Sequence, residues 1–141
     1  MYPQLRIKQE WIQNGIVNET VDWAKSFGKF LQSDEKGTKP LTSSQIRKFF
    51  GELKRIQSDP NKFKSEIPLL KAKLAYAVGR DVQSAYQGKV IYKTKLKELQ
   101  EELDKGIGFI RVDSDCLRND LNNFVKTVEA IVAFHKFFGG K

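Results

Sequence analysis

An all-α fold, a compact bundle of about five helices, is what this sequence predicts, and two observations carry the prediction. Apolar residues recur at spacings of three and four through most of the 141 residues, whereas alternation with period two is scarce. Hydrophobic residues make up 40% of the chain and aromatics 11%, enough to fill one core without disulfide or metal staples. With no internal repeat and no long linker, one domain over residues 1–141 is expected.

Taken in order, Asn14 and Gly15 break the chain, and a first helix is expected over residues 19–31 with Val21, Ala24, Phe27 and Leu31 on one stripe. The segment "SDEKGTKP", residues 33–40, has loop composition. A second helix, 43–57, has an explicit start: Thr42 caps the first amides, Gln45 completes a capping box, and Leu41 and Ile46 occupy the staple positions. It should stop before "SDPN". A third helix, 67–86, tolerates Pro68 in its first turn and is weakened by Gly79. A fourth, 89–105, repeats Tyr92, Leu96, Leu99 and Leu103 with seam spacing, for packing within the fold or for pairing with a second copy. "GIGFIRV", residues 106–112, is short, apolar and bounded by glycines, so it reads as a connector. The last helix, 115–138, ends at Gly139 and Gly140 and carries Leu117, Leu121, Phe124, Val128, Ile131 and Val132 as a broad apolar face.

The chain is basic, with 25 Lys and Arg against 17 Asp and Glu, a formal charge of +8. Such an excess favours polyanionic partners. It is also concentrated: residues 41–80 hold nine basic and three acidic side chains, a local excess of +6. At 3.6 residues per turn, Ile46, Phe49, Phe50, Leu53 and Ile56 of the second helix share one arc of roughly 120° and read as core. Arg47 and Lys54 then stack in one column, Lys48 and Arg55 in the next, with Ser44 and Gly51 between the columns. A phosphate backbone can approach closely over a residue that has no side chain. On the third helix Lys73 and Arg80 are seven apart and nearly in register, with Tyr76 between them, placed to stack on a base or to pack at the rim.

No catalytic residue, metal site or cofactor is expected. The single histidine, His135, lies on the apolar face of the last helix and reads as a hydrogen-bonded core residue. There is no Gly-rich phosphate loop and no HExxH, and the lone Cys116 reads as a small core filler. Asp113, Asp115 and Asp120 are the best carboxylates for an alternative, a Mg²⁺-dependent ribonuclease, although Asp115 also suits a helix cap. A helix-turn-helix DNA-binding protein is the other alternative. No apolar run reaches the roughly 18 residues of a membrane span, and the first residues show no leader, so a cytoplasmic protein away from the membrane is expected.

Three segments, "LTSSQIRKFFGELKRIQ", "LLKAKLAYAVGR" and "FVKTVEAIVAFHKFFGG", resemble in order and spacing the small helical subunit of type III-A CRISPR effector complexes. The resemblance implies an all-helical, non-catalytic subunit, present in more than one copy beside other subunits, that holds the CRISPR RNA and its paired target RNA through the backbone. Arg47, Lys48, Lys54 and Arg55 match the basic positions of the first segment, Lys73 and Arg80 those of the second. Ala72 stands where a proline is expected from the resemblance, and residues 82–112 lie outside it, so no contact is carried to Lys89, Lys93, Lys95 or Lys97. A guide–target duplex keeps its information in base pairing, so its holder needs only charge at helix-face spacing.

Overall fold

The computed structural model describes residues 2–34 and 38–139. Among them, in chain order, are α1 (Gln9–Gln13), α2 (Asn18–Gln32), α3 (Ser43–Ser58), α4 (Glu66–Arg80), β1 (Val82–Tyr86), β2 (Lys89–Tyr92), α5 (Leu96–Gly108) and α6 (Leu117–Phe137). The expected loop over 33–40 lies partly outside the described residues, at 35–37.

Helix α6 is the axis of the molecule, since its Leu117, Leu121, Phe124, Val125, Val128 and Ile131 are all buried. Helices α1, α2 and α3 pack against it, and α4 pairs with α5. The short α1 buries Trp11 and Ile12, and at 5 residues it shows too little periodicity to be read from sequence. In α2, Trp23, Ala24, Phe27 and Leu31 form the buried stripe, whereas Val21, expected on it, is 39% exposed. Thr20 turns inward instead, and its hydroxyl accepts a hydrogen bond from the Val17 amide.

Helix α3 starts as its sequence dictates. The Gln45 amide donates to Thr42 Oγ1 at 3.2 Å, and the Thr42 amide donates to Gln45 Oε1 at 2.9 Å. Leu41 and Ile46, the staple pair, are both buried.

Between 81 and 95 the structure departs from the expected helices. Helix α4 ends at Arg80 rather than 86, and α5 begins at Leu96 rather than 89. The chain between forms an antiparallel hairpin, with Gln87 and Gly88 at φ of 50° and 79°. Two consecutive positive φ values make the tight turn whose twist suits a hairpin. Its base is pinned by Asp81, whose carboxylate accepts hydrogen bonds from the Thr94 amide and hydroxyl at 3.0 and 2.7 Å. Lys95 is 1% exposed and donates to the Phe30 and Ser33 carbonyls at the end of α2, so it belongs to the interior.

Of the two roles open to the seam, packing within the fold holds for Leu96, Leu99 and Leu103, which are buried, whereas Tyr92 lies on β2. Two further expectations are corrected. Part of the expected connector is helical, because α5 runs to Gly108, and at Gly106 a Cβ would stand 2.6 Å from the Phe124 ring. Cys116 is half-buried at the entrance of α6 rather than in the core.

His135 is buried, and its Nε2 lies 2.7 Å from the Leu41 carbonyl. A carbonyl only accepts, so Nε2 carries the proton and the ring joins α6 to the start of α3. Burial lowers the pKa of this imidazole, the Leu41 hydrogen bond acts against that, and the Arg47 and Lys136 charges push the same way as burial. A histidine whose folded pKa is depressed contributes stability above its unfolded value of about 6.5 and loses it as pH falls through that window. Denaturation of the wild type should therefore become easier between about pH 7 and pH 5. His135→Gln should flatten that limb; equal slopes in urea titrations would refute the assignment.

Candidate nucleic-acid interface

Helix α3 buries Ile46, Phe49, Leu53 and Ile56 and half-buries Phe50, which fixes its outward side. Ser44, Arg47, Lys48, Gly51, Lys54 and Arg55 are all exposed there, as are Lys73 and Arg80 on α4. Nothing lies within 4 Å of a Cβ built at Gly51, so the middle of the face is open to an approaching strand.

The eight positions are not electrostatically equivalent. Arg55 is tied to Glu52 at 2.7 Å and also to Glu66, and Lys73 reaches the same Glu52 oxygen at 2.6 Å. Hydrogen bonds first from Arg55 and then from Lys73 pull the Glu52 carboxyl down to about 2, so it stays ionised at neutral pH. Sequence reasoning missed this pairing because Glu52 lies 21 residues from Lys73 and a fold is needed to join them. Among the described residues Arg47, Lys48, Lys54 and Arg80 have no carboxylate partner. Lys54 Nζ stands 5.9 Å from the Phe50 ring, and the Arg80 guanidinium 5.8 Å from the Tyr76 ring. Tyr76 itself is 69% exposed, which overturns a packing role for it within this chain.

The carboxylates of the nuclease alternative do not converge. Asp113 pairs with Lys64 at 2.9 Å, Asp115 is exposed, and Asp120 is buried against Arg111. Asp115 does not cap α6, whose N-cap residue is Cys116. Among the described residues no three His, Cys, Asp or Glu side chains are grouped to hold a metal ion. The DNA-reader alternative also lacks its geometry, since residues 59–65 separate α3 from α4 where a turn of about four residues is required. No helix among the described residues is long and apolar enough to cross a membrane.

The fold and this face define a class: small, basic, predominantly helical proteins that display cations on the outside of a packed helix. Within it, residues 15–141 match the family Csm2 Type III-A. A relative from Streptococcus thermophilus, "CRISPR system Cms protein Csm2", is 29% identical over 126 residues, covering 86% of this chain and 92% of the relative. No solved structure matches. The chain belongs to the type III-A Csm2 family, and it is thereby a small subunit of a type III-A CRISPR effector complex in antiviral defence.

Proposed function

We propose that the chain, acting as one domain in the cytoplasm, holds the CRISPR RNA and its paired target RNA by their phosphate backbones and makes or breaks no bonds itself. It does so in company with neighbouring copies of itself. The observation that carries this reading is the exposed α3 face, where cations without carboxylate partners flank a residue with no side chain. Arg47, Lys48 and Lys54 are the primary anchors, with Arg80 beyond them; Arg55 and Lys73 contribute once their hold on Glu52 is shared with phosphate. Ser44 adds a hydroxyl donor between the columns.

The test is an effector complex assembled with Arg47→Ala, Lys48→Ala and Lys54→Ala together. Each lost phosphate contact should flatten the salt dependence by about 0.7 to 0.9 in log–log slope, so the triple variant should release target RNA at moderate salt that the wild type tolerates. The loss should be the same for unrelated guide sequences, because backbone contacts carry no letters. Retention equal to wild type at every salt concentration would refute the reading.

Glu52 gives a test of opposite sign. Glu52→Gln removes the anion shared by Arg55 and Lys73, so Lys73 turns to the ligand, Arg55 keeps only its Glu66 partner, and RNA should be held several-fold more tightly at low salt. Filter-binding titrations check this, and weaker binding would count against Arg55 and Lys73 as RNA contacts.

A further inference from the structure

Helix α4 is apolar around nearly its whole circumference. Ile67, Leu70, Leu74 and Val78 face the core, yet Leu69 and Tyr76 on the other side are 53% and 69% exposed, with Ala72 and Ala75 exposed beside them. A helix apolar on all sides is normally covered on all sides. Among the described residues nothing covers the outer stripe: α3 and α4 touch only sparsely and leave a groove of about 890 Å³ between them.

The groove has a consistent chemistry along its length. Phe49, Leu70, Leu74 and Leu96 line it with apolar carbon, Leu69 and Tyr76 rise beside them, and Lys48, Lys73 and Arg80 add cationic groups. Of its two carboxylates, Glu52 is held by Arg55 and Lys73, and Asp81 is buried and hydrogen-bonded to Thr94, which leaves Lys48 and Arg80 as the cations without an ion-pair partner. From Leu69 to Arg80 the α4 wall rises roughly 16 Å, three helical turns. An apolar trough of that length exceeds one stacked base and offers a phosphate strand nothing on its floor. It matches a helix laid into a groove, with apolar anchors at i, i+3 or i+4, and i+7.

We propose that this groove receives a three-turn amphipathic helix from another protein subunit of the effector complex, its apolar side on Leu69 and Tyr76 and its acidic flank against Lys48 and Arg80. The charge of the visitor follows from the cations, and its apolar side from the uncovered stripe of α4. Glu52, which marks the groove side of α3, lies roughly 150° around the helix from Arg47 and Lys54. RNA backbone binding at Arg47 and Lys54 therefore uses a different side of α3 from the docked helix; the two readings share Lys48 and Arg80, and they are tested apart through Arg47 and Lys54 on one side and Leu69 and Tyr76 on the other.

The test uses the full chain in the assembled complex, with Tyr76 replaced by the photo-crosslinking residue benzoylphenylalanine. A crosslink to an acidic, helical segment of a different protein subunit is expected. A crosslink to RNA, a crosslink to a second copy of this chain, or no crosslink would overturn the proposal. A paired variant, Leu69→Asp with Tyr76→Asp, changes only exposed side chains, so its thermal melting should equal that of the wild type. Its incorporation into the complex should fall about tenfold or more, whereas Arg47→Ala with Lys54→Ala should be incorporated normally and lose RNA retention. Normal incorporation of the aspartate variant sinks the docking proposal alone, and unaltered RNA retention by the alanine variant sinks the RNA reading alone.

Discussion

Gly28→Ala is expected to lower the melting temperature by roughly 6–8 °C, the equivalent of about 2 kcal/mol for a chain of this size. Gly28 sits in α2 where α6 crosses it, and a Cβ built there stands 2.8 Å from Phe134 Cβ, 3.0 Å from the His135 amide nitrogen and 3.1 Å from the Phe134 carbonyl carbon. Two of those three atoms are backbone, so no side chain can swing aside and the helices must separate. Overpacking of this kind costs about 1–3 kcal/mol, and separation of α2 from α6 also loosens the core contacts of Phe27 and Leu31. Against it stands a helix-propensity gain of up to about 1 kcal/mol for replacing a helical glycine. Gly51→Ala isolates that gain, because nothing lies within 4 Å of its Cβ, and it should raise stability by up to about 1 kcal/mol. Calorimetry on the two variants should therefore show shifts of opposite sign. A melting temperature for Gly28→Ala at or above wild type would mean that the α2–α6 crossing is not close-packed there.

The same contrast between positions shows how far a sequence alone can be read. The α3 start was legible down to individual atoms, since Thr42 and Gln45 lie three residues apart and their hydrogen bonds are local. The outward face of α3 was legible for a related reason: a strong periodic core stripe leaves only one side for Arg47, Lys48, Lys54 and Arg55. His135 was placed by the same stripe on α6. The hairpin was not legible, because residues 82–86 and 89–92 carry apolar side chains on both ribbon faces and so show no clean alternation, and its turn has Gln87 in place of the usual Asn or Asp. What closes the hairpin is Asp81 reaching Thr94, thirteen residues on, a contact that exists only once the fold does. The groove was missed for a comparable reason. Tyr76 and Leu69 look like ordinary core residues in a window of sequence, and only the sparse contact between α3 and α4 exposes them.

Asp120→Ala should destabilise the fold by about 3 kcal/mol at neutral pH, through loss of charge-assisted hydrogen bonds and a stranded backbone donor. The Asp120 side chain is fully buried in the first turn of α6, where the helix dipole also favours a negative charge. Its two oxygens accept hydrogen bonds from the Arg111 amide, Nε and Nη2, each at 2.9 Å, and from Asn119 Nδ2 at 3.2 Å. Arg111 thereby folds the segment after α5 back onto the start of α6. The Arg111 side chain is 42% exposed and can rehydrate when its partner is removed, which keeps the loss below the cost of stranding a fully buried charge. Burial alone would raise the Asp120 pKa, but the hydrogen bonds from the Arg111 side chain and backbone outweigh it and hold the carboxyl below its usual range. A depressed carboxylate contributes stability above its unfolded pKa of about 3.9, and that contribution is lost as pH falls through the folded value. Wild type should therefore show a steeper acid limb than Asp120→Ala below about pH 4, with the two curves converging at low pH. Asp120→Asn keeps an acceptor for the Arg111 amide and should fall between them. If urea titrations give the alanine variant wild-type stability at pH 7, the junction does not depend on this carboxylate, and the turn before α6 is held by Ser114, whose hydroxyl accepts from the Cys116 amide and donates to the Arg111 carbonyl.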